Sequence, residues 1–488
     1  MDAQEFRRIG HQLIDWVADY REGMERLPVM SQVLPGAIRA AFPAEPPQQG
    51  RALDAALDAL DQTILPGITH WNHPAFFAYF PSNAGYASIL ADLVSSGLGA
   101  QGMNWQSSPA ATEVEEVVMD WLRQMLGLSN QWSGVIHDTA STATLCALLC
   151  AREKSSNFAQ NGPGLQGQAK PLVVYASAQG HSSIEKATLL AGFGRAYLRL
   201  IDTDEQHALR LDLLQAAIEA DLAAGLQPCA LTACIGTTGT TAVDPLDGMA
   251  DLAERYGLWL HVDAAMAGSA MILPECRAMW HGVERADSII LNPHKWLGVG
   301  FDLSAYYVRD PQHLIRVMST NPSYLQTAHD AEVKNFRDWH IQLGRRFRAL
   351  KLWFLLEDQG VQGLQARLRR DLAHAQWFKQ QIEATPDWQL MAPVLLQTVC
   401  IRHVPPAIAH DEAALTRHNQ AIARQINQSG RAYLTPSLLK GSQMLRVSIG
   451  SEGTEQQHVA ALWQQLQDCA LHDGATDGAT DDVTDASD

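Results

Sequence analysis

Asp287-Ser-Ile-Ile-Leu-Asn-Pro-His-Lys-Trp-Leu297 is an apolar run that halts on an Asn-Pro pair and then presents a histidine and a lysine. The run to Leu291 reads as a buried strand, which Asn292-Pro293 ends. His294 and Lys295 therefore sit in a turn at a strand end, where open parallel sheets bind their ligands. A partly desolvated lysine there can lose its proton near neutral pH and attack a carbonyl carbon. An isolated His-Lys pair more often belongs to a loop with its ammonium in water. The series upstream reverses that reading.

About thirty residues earlier, Leu258-Trp-Leu-His-Val-Asp-Ala-Ala265 is a second apolar strand, ending on Asp263 and two small residues. A carboxylate so placed can sit under a flat ring and hold a protonated ring nitrogen. Further upstream, His181 follows the strand Leu172-Val-Val-Tyr175, and Thr139-Ala140-Ser141 opens a helix after Gly134-Val-Ile136. Small hydroxyl residues at a helix N-terminus suit a phosphate. Phosphate cradle, histidine, aspartate and lysine, in that order along alternating strands and helices, are the parts that a pyridoxal 5'-phosphate site needs.

At this point the chain resembles the group II pyridoxal-phosphate-dependent decarboxylases, and among them the aromatic L-amino acid decarboxylases. The matching blocks are His73-Pro-Ala-Phe-Phe-Ala-Tyr-Phe-Pro81, Gly180-His-Ser-Ser183, His261-Val-Asp-Ala-Ala265, Asn292-Pro-His-Lys-Trp296 and Leu343-Gly-Arg-Arg-Phe-Arg348, spread over residues 5 to 468. The resemblance implies an α/β protein of fold type I, like aspartate aminotransferase. Its mainly parallel seven-stranded sheet would carry an N-terminal helical layer and a small C-terminal α/β domain. It also implies a homodimer with active sites at the subunit interface.

The same resemblance assigns roles. Lys295 is the covalent anchor of the cofactor and Asp263 the partner of its ring nitrogen, with His181 stacked on the ring face opposite Ala265. Thr139, Ala140, Ser141, Thr238, Asn292 and His294 complete the cofactor contacts. Tyr324, in Pro322-Ser-Tyr-Leu325, reaches the partner subunit's site and helps protonate the substrate carbon. Trp71, Tyr79, Phe80, Pro81, Ser82, Gln101, Met103 and Gly344, together with His181, line the substrate slot. One departure stands out: many animal relatives carry glycine where this chain has Asp138. A carboxylate near a phosphate must point away or be paired.

Composition agrees with a soluble multidomain protein. The chain has 488 residues, 47% hydrophobic and 18% charged, too long for one core. Its net charge of −17 disfavours nucleic-acid and anionic-membrane partners. Six tail aspartates (473, 477, 481, 482, 485 and 488) contribute six of those charges, so the body stays at −11. The seven scattered cysteines read as reduced core residues, without a Cys-x-x-Cys pair. No metal site, signal pattern or membrane-length apolar run is read, and the expected location is cytoplasmic.

Phe6, Ile9, Leu13, Val17 and Tyr20 give residues 3 to 24 one apolar helical stripe, and a proline-broken segment follows. Alternating strands (Leu172–Ser177, Ala230–Gly236, Leu258–Asp263, Ser288–Leu291) and helices (Leu211–Ala224, Leu246–Tyr256) predict βαβ units. Long helices over Leu364–Glu383 and Ala413–Ser429, with short strands at Gln397–Arg402 and Met444–Ile449, predict a separate small domain. The expected division is a dimerisation layer at 1–85, a cofactor domain at 86–350, a C-terminal domain at 351–471 and a disordered acidic tail at 472–488. Residues 320 to 335 are polar and aperiodic, a candidate mobile loop. The expected activity is decarboxylation of tryptophan, dopa, tyrosine or phenylalanine. The alternatives are an aromatic aldehyde synthase and a non-catalytic scaffold of the same fold.

Overall fold

The computed structural model describes residues 1–320, 322–325, 329–330 and 332–472, without the side chains of Tyr324 and His472. The acidic tail from residue 473 and part of the 320–335 loop lie outside the described residues. Two compact units emerge. One comprises Ser82–Ala375 and Ala392–Thr398; the other comprises Met1–Pro81, Gln376–Met391 and Val399–Asp488.

In the first unit, seven strands form one sheet: β1 (Ser133–His137), β2 (Leu172–Ser177), β3 (Leu198–Ile201), β4 (Gln227–Cys234), β5 (Trp259–Asp263), β6 (Ser288–Leu291) and β7 (Ser304–Val308). Their order is β1-β7-β6-β5-β4-β2-β3. Strand β7 runs antiparallel to both neighbours, and the remaining pairs are parallel. Six strands therefore point one way, and their C-terminal ends share one edge. Every residue of β2, β5, β6 and β7 is buried, as expected of strands covered on both faces. The helix Ala140–Ser155 lays Ala143, Cys146, Ala147, Cys150 and Ala151 into the core with Val174, Trp259, Ile290 and Tyr306. Those small side chains let helix and sheet approach closely.

The elements expected at Leu172–Ser177, Leu246–Tyr256 and Ser288–Leu291 form with those bounds. Strand β4 begins earlier than expected and stops at Cys234, because Gly236 (φ +83°) turns the chain back and its N–H reaches Ala242 O at 3.0 Å. The helix expected from Leu364 is the second half of Ala349–Glu383, whose path turns at Gly360 (φ +59°, ψ 174°). The edge strand β3 and the reversed strand β7 were not apparent in the apolar pattern.

In the second unit, β8 (Trp388–Leu390), β9 (Thr398–His403), β10 (Thr435–Leu439) and β11 (Ser442–Ser448) form a sheet in the order β10-β11-β9-β8. The helix Glu412–Gln428 packs on β11 and on the helix Gln456–His472. The N-terminal 81 residues group with this sheet. The physical tie is backbone pairing: Val29 N–H to Gly430 O, Phe77 N–H to Tyr433 O and Ser448 N–H to Phe77 O, at 2.8 to 2.9 Å. The Asp2 carboxylate caps the first helix, Ala3–Glu22, through the N–H groups of Gln4 and Glu5. That helix leaves Phe6, Leu13 and Ile14 exposed.

All seven cysteines are outside disulfides, and all but Cys469 are buried. Burial raises the thiol pKa of Cys146, Cys229 and Cys400 to about 12, which makes them inert packing groups. Among the described residues no helix is long and apolar enough to cross a membrane.

Candidate active site

The parallel strand ends collect most of the residues that the sequence singled out. Strand β1 ends at His137 and passes through Asp138 to Thr139, the N-cap residue of the helix Ala140–Ser155. The Thr139 side chain makes no capping bond, and the following turn keeps Ala140 half-buried and Ser141 exposed. Strand β2 ends at Ser177, four residues before His181. Strand β4 leads through Gly236 to Thr238, exposed at the tip of its turn.

Asp263 closes β5, in register between Cys234 of β4 and Ile290 of β6. Its Oδ1 accepts the Ala265 N–H at 3.1 Å, and Ala265 O accepts the Asn292 N–H at 2.8 Å. These bonds knit the ends of β5 and β6 together. Asn292 Oδ1 takes the Ser304 hydroxyl at 2.6 Å, so its amide NH2 is the end left to donate elsewhere.

Lys295 lies in the short helical turn Pro293–Leu297 and breaks its helical path (φ −97°, ψ −109°). It is half-buried, and its backbone carbonyl accepts from Asn83 Nδ2 at 3.4 Å. The turn is fastened from below. Trp296, fully buried, donates its indole N–H to Asp371 Oδ2 at 2.9 Å. Arg367, one helical turn earlier, donates to the carbonyls of Trp296 and Leu297. Gly298 (φ +94°) closes the turn, and a Cβ there would come within 2.8 Å of the Arg367 guanidinium. His294 is buried beneath, its Nδ1 accepting the Leu303 N–H; burial lowers its pKa to about 3.

Electrostatics ties the three central groups. Surrounding protein lowers the His181 pKa, Asp263 opposes that shift, and Lys295 adds to it. The net direction is downward, so the ring is neutral at pH 7. Ser183 donates its N–H to His181 Nδ1 at 3.1 Å, which puts the ring proton on Nε2.

Gln101 and Gly344 also meet. Gln101 Oε1 accepts the Arg345 N–H at 2.6 Å, and a Cβ on Gly344 would lie 3.3 Å from Gln101 Nε2. Arg345 is itself buried against Glu115, 2.6 Å away, and donates to Ile136 O. Met103 O holds the Arg337 N–H at 2.9 Å, and Ser82 is half-buried at the start of this unit.

Trp71, Tyr79, Phe80 and Pro81 belong to the other unit. There Trp71 stacks on Tyr79 with centroids 5.4 Å apart, and the Tyr79 hydroxyl lies 3.2 Å from that of Tyr433. Arg446 donates to Tyr79 O and spreads over the Phe80 ring. Tyr324 falls in the turn Ser323–Leu325, with its side chain outside the described residues. Sequence reasoning missed Asn83, Ser304, Gln342, Arg367 and Asp371. Each acts on the site from a segment that no local spacing connects to it.

A mostly parallel sheet with these strand ends defines the fold type I enzymes that work with pyridoxal 5'-phosphate, and this chain is one of them. The pyridoxal-dependent decarboxylase conserved domain matches residues 35–404. The chain belongs to that family, the group II decarboxylases, on its aromatic amino acid branch. It is 40% identical to tryptophan decarboxylase 2 of Oryza sativa subsp. japonica over 478 residues, covering 96% of this chain and 95% of the relative. It is 41% identical to phenylacetaldehyde synthase of Arabidopsis thaliana, covering 97% of each. Its structure resembles that of the Oryza sativa enzyme TDC with PLP and tryptamine, at a TM-score of 0.93 and 37% identity, over 97% of this chain and 99% of that one.

The donor set fits this cofactor. Lys295 supplies an amine, Asp263 a carboxylate with one oxygen on a backbone N–H, and the Ala140 helix an N-terminus without a side-chain cap.

Proposed function

We propose that this carboxy-lyase decarboxylates aromatic L-amino acids to the corresponding amines, as a cytoplasmic homodimer whose subunits share each active site. The observation that carries the reading is that Asp263 and Lys295, at the ends of the adjacent strands β5 and β6, both act electrostatically on His181, which follows β2. Relatives named for tryptophan and tyrosine as substrates support the aromatic class. The cluster of Trp71 with Tyr79, and Phe80 beside Arg446, supplies aromatic faces of the kind on which a flat ring stacks.

Pyridoxal phosphate, when bound, supplies the electron-accepting ring for the pair left behind as carbon dioxide departs. Lys295 offers the amine that would hold it. Asp263 keeps a proton on the ring nitrogen, and the N–H groups from Thr139 to Ser141 receive the phosphate, with the Asn292 amide and Thr238 beside them. His181 presents a neutral imidazole face and, with Ser82, orients the substrate carboxylate. Gln101, Met103 and Gly344 bound the side-chain slot. Tyr324 of one subunit returns a proton to the substrate Cα in the other. The N-terminal segment 1–85 serves as a dimerisation layer, which its exposed Phe6, Leu13 and Ile14 support.

A second reading is favoured by the phenylacetaldehyde synthase relative: decarboxylation with oxidation by oxygen, giving aldehyde, ammonia and peroxide. One experiment separates them. Purified protein is supplied with each of the twenty L-amino acids, and amine, aldehyde and peroxide are quantified. Amine from an aromatic substrate without stoichiometric peroxide is expected. Aldehyde with equal peroxide would establish the synthase instead. The absence of any turnover, with no absorbance from bound cofactor, would leave a non-catalytic scaffold.

A further inference from the structure

We propose that the Asp138 carboxylate is a resident anion of the phosphate cradle, displaced onto Gln342 when a phosphate binds, so that it sets a lower affinity for phosphorylated cofactor. The proposal rests on the reading of the Thr139–Ser141 turn as that cradle.

Asp138 has a fixed backbone and a side chain shared between two holds. Its carbonyl accepts the Ser304 hydroxyl at 3.3 Å, and the same hydroxyl is bound to Asn292 Oδ1. Its Oδ1 accepts the Thr139 N–H at 2.7 Å and lies 3.5 Å from Thr139 Oγ1. Its Oδ2 accepts from Gln342 Nε2 at the longer distance of 3.4 Å. The short bond is thus to the N-cap N–H of a sixteen-residue helix, where the aligned peptide dipoles favour an anion. A carboxylate already holds part of what a phosphate would seek.

No lysine or arginine forms an ion pair with Asp138 among the described residues. Its charge therefore meets an incoming phosphate dianion without a counter-ion of its own, and like charges a few ångströms apart in a partly desolvated site repel strongly. The phosphate takes the Thr139 N–H, and the carboxylate turns toward the Gln342 amide, the contact already half-made. Gln342 is itself aimed by its backbone, whose N–H binds His340 Nδ1 at 2.9 Å. The inverse reading, that Asp138 organises the cradle and aids phosphate binding, makes opposite predictions.

The test uses the full-length protein in equilibrium with pyridoxal phosphate or with pyridoxal, which lacks the phosphate. Bound ligand is read by absorbance and by equilibrium dialysis. Asp138→Asn keeps an oxygen for the Thr139 N–H but removes the charge; Asp138→Gly removes both. Both variants are expected to bind pyridoxal phosphate more tightly, by about ten-fold, with pyridoxal affinity unchanged. Gln342→Ala is expected to weaken pyridoxal phosphate binding several-fold in the parent and to have no effect beside Asp138→Asn. An unchanged or reduced preference for the phosphorylated ligand in both Asp138 variants overturns the proposal. So does an equal effect of Gln342→Ala in both backgrounds. Failure of the parent itself to bind pyridoxal phosphate is a different outcome, which overturns the cradle reading and this inference with it.

Discussion

Asp371 accepts the indole N–H of Trp296 across 2.9 Å, and this bond ties the turn bearing Lys295 to the helix Ala349–Glu383. Asp371 is fully buried, and burial raises its pKa to about 6 against the pull of Trp296, Arg370 and Arg367. A carboxyl raised in the folded state favours folding while it is protonated. That contribution is complete below its ordinary value of 3.8 and is lost as pH rises through about 6. Asp371→Asn keeps an oxygen for the indole and removes the titration. The variant should match the parent in stability near the acid end of this window and exceed it at neutral pH. Their difference should change by at most about 1.4 kcal/mol per pH unit. Asp244, also raised to about 6, is present in both proteins and cancels. Denaturant melts of the pair at pH 4, 5, 6 and 7 measure the slope; a difference independent of pH would show that Asp371 is not the titrating group.

The buried pair Glu115–Arg345 holds the Leu343–Arg348 segment against β1. Glu115 Oε1 accepts from both Arg345 Nη2 and the Ile136 N–H. Arg345→Met leaves a charge buried without a counter-ion and should cost about 3 to 5 kcal/mol in unfolding free energy. Adding Glu115→Gln neutralises that charge and should restore part of the loss. A double variant no more stable than Arg345→Met alone would mean that lost packing, not the stranded carboxylate, dominates.

Lys295→Ala should abolish turnover while leaving the fold intact, because Lys295 is only half-buried and its proposed role is covalent chemistry. Asp263→Asn should bind cofactor yet lose most of its kcat, since a neutral amide cannot hold the ring-nitrogen proton; one pKa unit of that support is about 1.4 kcal/mol. Single-turnover assays and cofactor absorbance on both variants test the pair of roles. Full kcat in either one removes the residue from the mechanism.

Tyr324→Phe deletes one hydroxyl from a loop turn and should shift stability by no more than about 0.5 kcal/mol. Its products should move from amine toward aldehyde, ammonia and peroxide, because the substrate carbon waits longer for a proton. Mixing Tyr324→Phe with Lys295→Ala subunits should restore activity, since one of the two mixed sites regains both groups. An unchanged amine yield without peroxide removes Tyr324 as donor. Verified mixed dimers that stay inactive would put the loop in its own subunit's site.

Removing residues 1–70 should give insoluble or monomeric, inactive protein. The segment exposes Phe6, Leu13 and Ile14, yet its Val29 N–H pairs with Gly430 O. Size-exclusion chromatography with light scattering decides the matter, and an active soluble monomer would contradict the layer.

The sequence by itself determined the family, the cofactor and the ends of the strands that precede Asn292 and close on Asp263. Asp263 ends a short, mostly apolar run and Lys295 lies just past another that stops at Asn292-Pro293, and such runs are local signals that survive without knowledge of any partner. The two strands concerned, β5 and β6, are consecutive in the chain and also adjacent and parallel in the sheet. Tertiary structure decided what local pattern cannot encode. Strand β7 was not apparent in the apolar pattern, and only pairing sets it antiparallel between β1 and β6. The pairing of the His73–Pro81 block with residues 430 to 448 likewise joins segments hundreds of positions apart. Asp138 was visible as an anomaly, while its bonds to Thr139 and Gln342 were not. Arg367 and Asp371 looked like any charged residues of a long helix until they met Trp296 and Leu297. Their buried polar groups must find partners or pay the cost of desolvation, and which partner each one finds depends on the packed fold.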